Sequence, residues 1–441
     1  MGRRDRVAPR GRSALARLAP VTESASPPRR GSVTAASVPA LAVWSRRAFR
    51  RYMAARLVVT FALQALGVAV GWQVYDITRD PLHLGWVGLA QFLPMLLLAL
   101  PGGQVADRHS RRRVVIACFV VFAIGAGALA VIATVERPPL ALLYAVLVLL
   151  GSARAFYGPA TGALVPNLVP RDELPSAIAW GSTVWQLATV LGPALGGALY
   201  AATGPVTTYV AVAGLALIAA GLTTRVRVEE THPREVRSVA AVLAGVRYVV
   251  SDRVLLGAIS LDLFAVLLGG SVALLPAIAR DVLAVGPAGL GALRAAPATG
   301  AAVVAVALAL RPLRRRAGVV MLASVAIFGG ATIVVGLSRS FELSLAALAL
   351  LGAADMVSVF VRHTLIQLRT PDAMRGRVGA VSLVFISASN ELGELESGLT
   401  AAWLGVERAI VAGGLGTLLV VLAASRAVPD LRAVRSLSPE S

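Results

Sequence analysis

The sequence predicts an all-α membrane protein with twelve transmembrane helices arranged as two pseudo-symmetric six-helix bundles. Three observations lead to this prediction: apolar runs of membrane-spanning length, arginines confined mainly to alternate loops, and an internal repeat. Of the 441 residues, 57% are hydrophobic and 15% are charged. A soluble chain of this length would need much more charge to cover its surface. The composition therefore indicates a protein embedded in lipid.

Apolar runs predict six membrane spans before residue 224 and six after residue 252, since a spanning helix needs about 20 apolar residues. The predicted spans are 52–76, 82–106, 114–135, 139–161, 175–202, 206–223, 254–280, 287–310, 317–338, 341–366, 377–404 and 407–425. The polar stretch 224–252 separates the two groups, and within it residues 236–250 alternate apolar and polar side chains as an interfacial helix does.

The predicted organisation follows from these runs. It comprises a six-helix bundle at 47–223, a cytoplasmic linker at 224–252, a second six-helix bundle at 253–425 and a cytoplasmic tail at 426–441. Residues 1–46 are rich in Arg, Ala, Ser and Pro and have no central apolar segment, so we expect a disordered basic tail rather than a secretory signal peptide. An organellar transit peptide is also compatible with that composition.

Arginine placement predicts the orientation of the chain. The sequence has no lysine, and its 42 arginines give a formal charge of +19. Clusters such as Arg111–Arg113 and Arg314–Arg316 occupy one set of loops, whereas the alternate loops carry few arginines. By the positive-inside rule the arginine-rich loops and both termini are cytoplasmic, and the protein is a multi-pass protein of the plasma (inner) membrane. We expect Asp76 and Arg79 at the outer mouth. Topology accounts for the basic charge better than nucleic-acid binding does.

A shift of 201 residues aligns the two halves of the chain. It places Gly192–Gly197 (GPALGG) on Gly393–Gly398 (GELESG), and Arg154 on Asp355. Duplicated bundles are an arrangement known for secondary transporters. Two such halves can rock about a central site, which is the geometric requirement for alternating access.

One arginine-rich loop carries a specific pattern. Its residues are Gly103, Asp107, Arg108, Arg111 and Arg112, spaced as G-x-x-x-D-R-x-x-R-R. The pattern resembles the loop signature of the major facilitator superfamily, except that Ser110 stands where many members have glycine. The resemblance implies that Asp107 meets the positive N-terminus of the eleventh helix, near Arg375–Arg377, and locks the inside-closed state. We expect gating by Asp107 and Arg108, and anchoring at the lipid headgroups by Arg112.

A second pattern lies in the fifth span, where Gly192, Pro193, Gly196 and Gly197 resemble the superfamily's antiporter motif. Ala188 stands where a further glycine is common. Glycines let a neighbouring helix approach closely, and proline bends its own helix. The segment 364–377 is similar to the enterobactin-exporter branch, also described as transmembrane secretion effectors. The resemblance covers roughly residues 45–425 and implies a major facilitator fold.

Ionisable side chains within spans are expensive and therefore indicate function. In the eleventh span Glu391 and Glu394 lie three residues apart on one helix face, with Asn390 one turn before Glu394. Glu396 points elsewhere. Two neighbouring carboxylates in a low dielectric are costly to keep ionised together, so we expect one to bind a proton that cycles during transport. Alternatively, the acids face water or pair with arginine.

Further charges lie in other spans. Arg154 in the fourth span and Asp355 in the tenth occupy equivalent repeat positions with opposite signs. The resemblance implies that these two helices line the cavity, so the side chains are expected to pair across it or to bind substrate, with a static pair as the alternative. Asp262 in the seventh span is a third cavity candidate. Arg362 lies near the inner end of the tenth span, where snorkelling to the headgroups explains an arginine.

These observations predict a secondary active transporter: a proton-coupled exporter of a bulky small molecule, such as a drug or siderophore, that acts as a monomer in the lipid bilayer. A nutrient or lysophospholipid carrier of the same fold is the alternative. A membrane-embedded enzyme is more remote, because the four histidines lack metal-site spacing, and a receptor is more remote because the tail after Arg426 is too short for a soluble output domain. The sequence shows no P-loop, which argues against ATP-driven transport by this chain alone. No cofactor, metal or nucleic acid is expected.

Overall fold

The described part of the chain is helical in this computed structural model. It comprises residues 2, 42–228, 239–311, 313 and 316–434. Most of the predicted N-terminal tail, part of the linker and the end of the C-terminal tail lie outside these ranges. The α-helices are α1 (Arg47–Thr78), α2 (Pro81–Leu97), α3 (Ala99–Arg108), α4 (Arg111–Ile132), α5 (Leu140–Leu164), α6 (Leu174–Thr224), α7 (Val239–Ser251), α8 (Arg253–Leu268), α9 (Leu275–Ala277), α10 (Gly286–Leu310), α11 (Ala317–Leu337), α12 (Phe341–Arg369), α13 (Asp372–Leu404), α14 (Val406–Ala427) and α15 (Pro429–Ala433).

Nine helical segments in the described ranges are long and apolar enough to cross a membrane, and the bent pair α2 and α3 adds a tenth. The two helices of this pair meet at 51°, so the predicted span 82–106 is divided at Leu98. Pro101 in the first turn of α3 explains the break. It has no N–H to donate to the carbonyl of Leu97, and its ring would collide with that carbonyl in a straight helix.

Two predicted spans, 175–202 and 206–223, both lie within α6. This 51-residue helix has a kink at Gly204, where φ is 77° and ψ is −178°. Glycine tolerates this positive φ without steric cost, and Pro205 then suits the first turn of the segment that follows. The eleventh predicted span lies in α13, which is not among the segments that pass the length and hydropathy criteria. In the described ranges those criteria therefore identify ten crossings where the sequence predicts twelve.

Two large hydrophobic clusters hold the helices together. The first contains the fully buried rings of Tyr52, Phe119 and Tyr209, from α1, α4 and α6. The second contains side chains from α8, α11, α12, α13 and α14, among them Leu255 and Met321. Many other apolar side chains are exposed, as a lipid-facing surface requires. Packing between helices, rather than exclusion of water, holds such a bundle together.

The linker helix α7 packs on the ends of α12 and α13. A Cβ at Gly245 would lie 2.8 Å from the carbonyl oxygen of Arg377, so α7 approaches α13 closely. The hydroxyl of Tyr248 donates to the carbonyl of Arg369 (2.7 Å). Asp252 caps the start of α8 and pairs with Arg369 at 3.2 Å. These contacts fix the junction between linker and second half at the predicted inner end.

A second junction at the same predicted end involves the residue before α1. Arg46 Nε lies 2.7 Å from a carboxylate oxygen of Glu173, the residue that precedes α6. Hydrogen bonding to Arg46, assisted by its charge, lowers the pKa of the Glu173 carboxyl from its ordinary value. This pair joins the chain before the first helix to the start of the fifth predicted span.

Candidate functional site

A polar cavity of about 550 Å³ lies at the centre of the helices. This volume falls within the range of small-molecule sites. Its ionisable lining residues are Arg154, Arg294, Asp355, Glu391 and Glu394, and its amide side chains are Gln64, Gln91, Gln186 and Asn390. Charge of both signs in the middle of an otherwise apolar bundle makes this cavity the candidate binding site.

Helix α13 supplies both glutamates to this cavity. Because Glu391 and Glu394 are separated by about one helical turn, they project from the same face. Asn390 also lines the cavity, and its amide nitrogen donates to the carbonyl of Ile386 (2.9 Å). Glu396 is not among the lining residues, and its carboxylate accepts a hydrogen bond from Thr400 (2.7 Å). Three of the four polar residues predicted on this helix therefore meet in one cavity.

Two arginines bring positive charge to the same space. Arg154 of α5 interacts electrostatically with Glu391 and Glu394, and Arg294 of α10 with Glu394. Among the described residues, none of these contacts is an ion pair within 4.0 Å. Two cations and two carboxylates thus share the cavity without being locked together.

Arg294 is a site residue that the sequence analysis missed. The available signal was an arginine in the middle of the predicted span 287–310. Helix α1 makes room for it with two glycines: a Cβ at Gly67 or Gly71 would lie 3.3 or 3.5 Å from the guanidinium nitrogens. The Nε of Arg294 is buried and makes no hydrogen bond to the described residues. This buried donor is therefore unsatisfied within the described chain.

Glu394 is held between α2 and α10. A Cβ on Gly88 of α2 would come within 2.5 Å of Glu394 Oε2 and 3.0 Å of Glu394 Cβ. One turn earlier, a Cβ on Gly85 would lie 3.2 Å from the backbone of Leu395. The absence of side chains at these two glycines lets α2 lie directly against α13. The position of Glu394 thus depends on glycine at 88.

Asp355 of α12 lines the central cavity and also a smaller one beside it, to which Asp262 of α8 contributes. Asp262 forms an ion pair with Arg362, and both residues are almost fully buried, at 5% and 2% exposure. The expectation that Arg362 snorkels to the headgroups is therefore wrong, because the buried carboxylate of Asp262 on α8 compensates its charge. Arg154 and Asp355 form no ion pair among the described residues.

The predicted hairpin is shorter than its motif suggests. Gly103, Asp107 and Arg108 belong to α3, so only His109 and Ser110 separate α3 from α4. Asp107 makes no ion pair with the start of α13 in the described chain. Arg375 instead pairs with Asp372 of its own helix, at 2.7 Å. The inside-closed contact implied for Asp107 is not made in this conformation.

The arginines of this motif bind backbone carbonyls at neighbouring helix ends. Arg111 is buried and donates to the carbonyl of Ala163 in α5 (3.0 Å). Arg112 donates to the carbonyl of Thr223 in α6 (3.1 Å). Helix C-termini present unsatisfied carbonyls and partial negative charge. These two arginines therefore tie three helix ends together at the predicted inner face.

The glycine motif of the fifth span lies at two helix contacts. Gly192 and Gly196 face α1, and Gly197 faces Gly291 of α10. A Cβ on any of the three would approach a neighbouring atom to below 3.0 Å. Pro193 lines the central cavity. The motif therefore sets how closely α6 approaches helices from both halves of the sequence.

The predicted outer end carries a cluster of charges. Asp76 at the end of α1 pairs with Arg280, and Arg79 pairs with Asp281 at 3.4 Å. The hydroxyl of Tyr75 donates to Asp281. Arg280 and Asp281 lie in a π-helical turn, Ile278–Val282, that follows α9. These contacts join the two halves of the sequence above the central cavity.

Comparisons with known proteins agree on one family. The family described as "Transmembrane secretion effector" matches residues 38–440. The enterobactin exporter EntS of Salmonella paratyphi A is 31% identical over 409 residues, covering 89% of this chain and 95% of that protein. The enterobactin exporter EntS of Shigella boydii is 29% identical, covering 89% and 94%.

Solved transporter structures share the fold. A bacterial homolog of the human lysosomal transporter Spinster, in an inward-facing and occupied conformation, matches with a TM-score of 0.69 at 14% identity, covering 89% of this chain and 98% of that chain. A POT family transporter in complex with 5-aminolevulinic acid matches with a TM-score of 0.67 at 11% identity, covering 88% and 97%. The arrangement of helices is therefore one that transporters use.

Proposed function

Because the chain belongs to the transmembrane secretion effector family of membrane transporters, we propose that it exports a siderophore-like molecule in exchange for protons. The observation that carries the proposal is the central cavity, in which Glu391 and Glu394 face Arg154 and Arg294. The relatives named enterobactin exporters support the class of substrate. Such a cavity can bind both the substrate and the coupling proton.

Exchange requires that a bound proton weakens the binding of substrate. By thermodynamic linkage, bound substrate then weakens the binding of the proton to the same extent. An ionised glutamate accepts hydrogen bonds from hydroxyl or amide donors, whereas a protonated one loses part of that capacity. A siderophore carries several such donors together with the oxygen atoms that chelate iron. Its donors would bind Glu391 and Glu394, and its oxygen atoms would accept hydrogen bonds from Arg154 and Arg294. Substrate entering from the inside would therefore expel the proton, and a proton from the outside would release the substrate.

Alternating access would expose this site to each side in turn. In the conformation described, the cluster around Asp76 and Arg280 joins the halves at the predicted outer end. Opening to the outside would break that cluster. It would also bring Asp107 toward the start of α13, where the resemblance places the contact of the inside-closed state. Glycine contacts such as Gly197 with Gly291 suit a movement in which helices slide without side chains in the way.

We further propose that the chain crosses the membrane twelve times, as two bundles of six helices, with both termini inside. The nine crossings, the bent pair α2 and α3, the second segment of α6 and helix α13 together give twelve. The 201-residue repeat and the arginine-rich alternate loops support this topology. As a monomer, the protein would carry its complete site between the two halves.

The test uses purified protein in lipid vesicles with enterobactin as the probe. Two assays separate binding from coupling: exchange of labelled for unlabelled probe at equal pH, and probe transport driven by a pH difference. Glu394→Gln should retain exchange and lose most of its pH-driven transport. Glu396→Gln, on the same helix but outside the cavity lining, is the matched control and should behave as the unaltered protein. Equal pH-driven transport in both variants would refute coupling through Glu394.

A further inference from the structure

We propose that Asp355 is a second proton-binding site, whose proton is held by a water molecule bridging Asp355, Asp262 and Ser358. The proposal rests on the proposed proton exchange and adds to it a second proton per transport cycle. It concerns the smaller cavity beside the main one, which is separate from the Glu391 and Glu394 pair.

The smaller cavity has the size and lining that a single water molecule requires. Its volume is about 10 Å³, close to the minimum that holds one water. Three polar side chains line it, those of Asp262, Asp355 and Ser358, and the remainder of the wall is apolar. A buried water typically makes about three hydrogen bonds. The three polar groups provide that number.

Ser358 supplies independent evidence for a ligand. It is 1% exposed, and its hydroxyl has no hydrogen-bond partner among the described residues. A buried hydroxyl without a partner is costly. Since the same side chain lines the small cavity, a water there would satisfy it.

The two aspartates have different surroundings. Asp262 is paired with Arg362. Asp355 has no ion pair among the described residues and also borders the central cavity, from which a proton can reach it. The titratable groups that line the small cavity are thus Asp262 on α8 and Asp355 on α12, with Arg362 of α12 paired to Asp262. The charged groups that share the central cavity with Asp355 are Arg154 on α5, Arg294 on α10, and Glu391 and Glu394 on α13. Helix α11 contributes only the apolar Val325 and Phe328.

The hydrogen bonds of the protonated state balance. A proton from the central cavity adds to the carboxylate of Asp355 and forms its O–H bond. That O–H donates to the bridging water, and the water donates one hydrogen to the Asp262 carboxylate and the other to the hydroxyl oxygen of Ser358. No other bond forms or breaks. The proton leaves by the same route when the cavity opens to the other side.

Proton stoichiometry tests the second site. Vesicles are clamped at zero membrane potential with potassium and valinomycin, and the pH difference that balances a known enterobactin gradient is measured. If the unaltered protein exchanges two protons per neutral probe, a tenfold proton gradient balances about a hundredfold gradient of the probe. In Asp355→Asn, with one proton per probe, the same proton gradient should balance about a tenfold gradient of the probe. An unaltered protein that exchanges the probe without response to pH would refute the proposed function itself. A pH-driven protein with one proton per probe, or an unchanged ratio in Asp355→Asn, would refute only this inference.

Ser358→Ala tests the water. In the protonated state this change leaves one hydrogen of the water without an acceptor, which should weaken proton binding about fivefold and move the half-maximal pH of pH-driven transport to the acid side by about 0.7 units. The control is Ser344→Ala, which removes a buried, unpartnered hydroxyl from the same helix, away from both cavities. No shift in Ser358→Ala, or an equal shift in the control, would overturn the water bridge. Transport driven by sodium at equal pH would also overturn it.

Discussion

Replacing Gly88 with alanine should damage the site without altering any polar group. Gly88 lies on α2 opposite Glu394, and the added Cβ would come within 2.5 Å of Glu394 Oε2 and 3.0 Å of its Cβ. An ordinary contact would need about 3.5 Å or more. The Glu394 side chain therefore has to move by about 1 Å, or α2 has to shift away from α13.

The size of the effect follows from these distances. Overpacking of this kind costs about 1–3 kcal/mol, and misplacement of a functional group by about 1 Å can cost a hundredfold in rate. We expect pH-driven enterobactin transport by Gly88→Ala to fall by about ten- to a hundredfold, with normal insertion into the membrane. The assay is the vesicle measurement described above, normalised to the amount of folded protein.

Two further variants make this reasoning refutable. Gly127→Ala on α4 adds the same methyl group where no neighbouring atom lies within 4 Å, and it should transport as the unaltered protein does. Adding Glu394→Asp to Gly88→Ala shortens the colliding side chain by one methylene, and the pair should transport better than Gly88→Ala alone. If Gly88→Ala transports normally, or if the shorter acid makes no difference, Gly88 does not position Glu394.

Three other predictions concern regions outside the central cavity. Asp76→Asn should weaken its pair with Arg280 and increase the population open to the outside about two- to fivefold. Faster labelling of a cysteine introduced at Thr189, by an impermeant reagent added outside, would show this. Glu173→Gln should lower Tm at pH 7, because the pKa of Glu173 is depressed and its stabilisation is complete above its ordinary pKa. That stabilisation is lost as the pH falls through the pKa of Glu173 in the folded protein, which is the lower of the two values. The Tm values of Glu173→Gln and of the unaltered protein should therefore be equal in strong acid. Asp107→Arg should reduce transport about fivefold with unchanged topology, measured by terminal-tag accessibility. An unchanged rate would leave Asp107 without a gating role.

The sequence by itself determined where the long apolar segments lie and which polar residues of the eleventh predicted span share one helix face. Hydropathy and charge act locally along a helix, so apolar runs reveal membrane segments. The three-residue spacing of Glu391 and Glu394 likewise puts both on one face. The bend at Leu98 had a local cause as well, because Pro101 cannot continue a straight helix. Hydropathy nevertheless predicts 82–106 as one span, because the apolar run is continuous.

Only the tertiary structure decided which charges meet. Arg294 lies opposite Glu394, 100 residues along the chain, because α10 packs where the glycines of α1 leave space for its side chain. Asp262 and Arg362 form a buried pair because α8 packs against α12, although each residue resembles an isolated charge in its own span. Helical periodicity indicates the direction in which a side chain points, whereas the close approach of two helices depends on the fit of their surfaces. The partners of buried charges in this protein were therefore decided by helix packing.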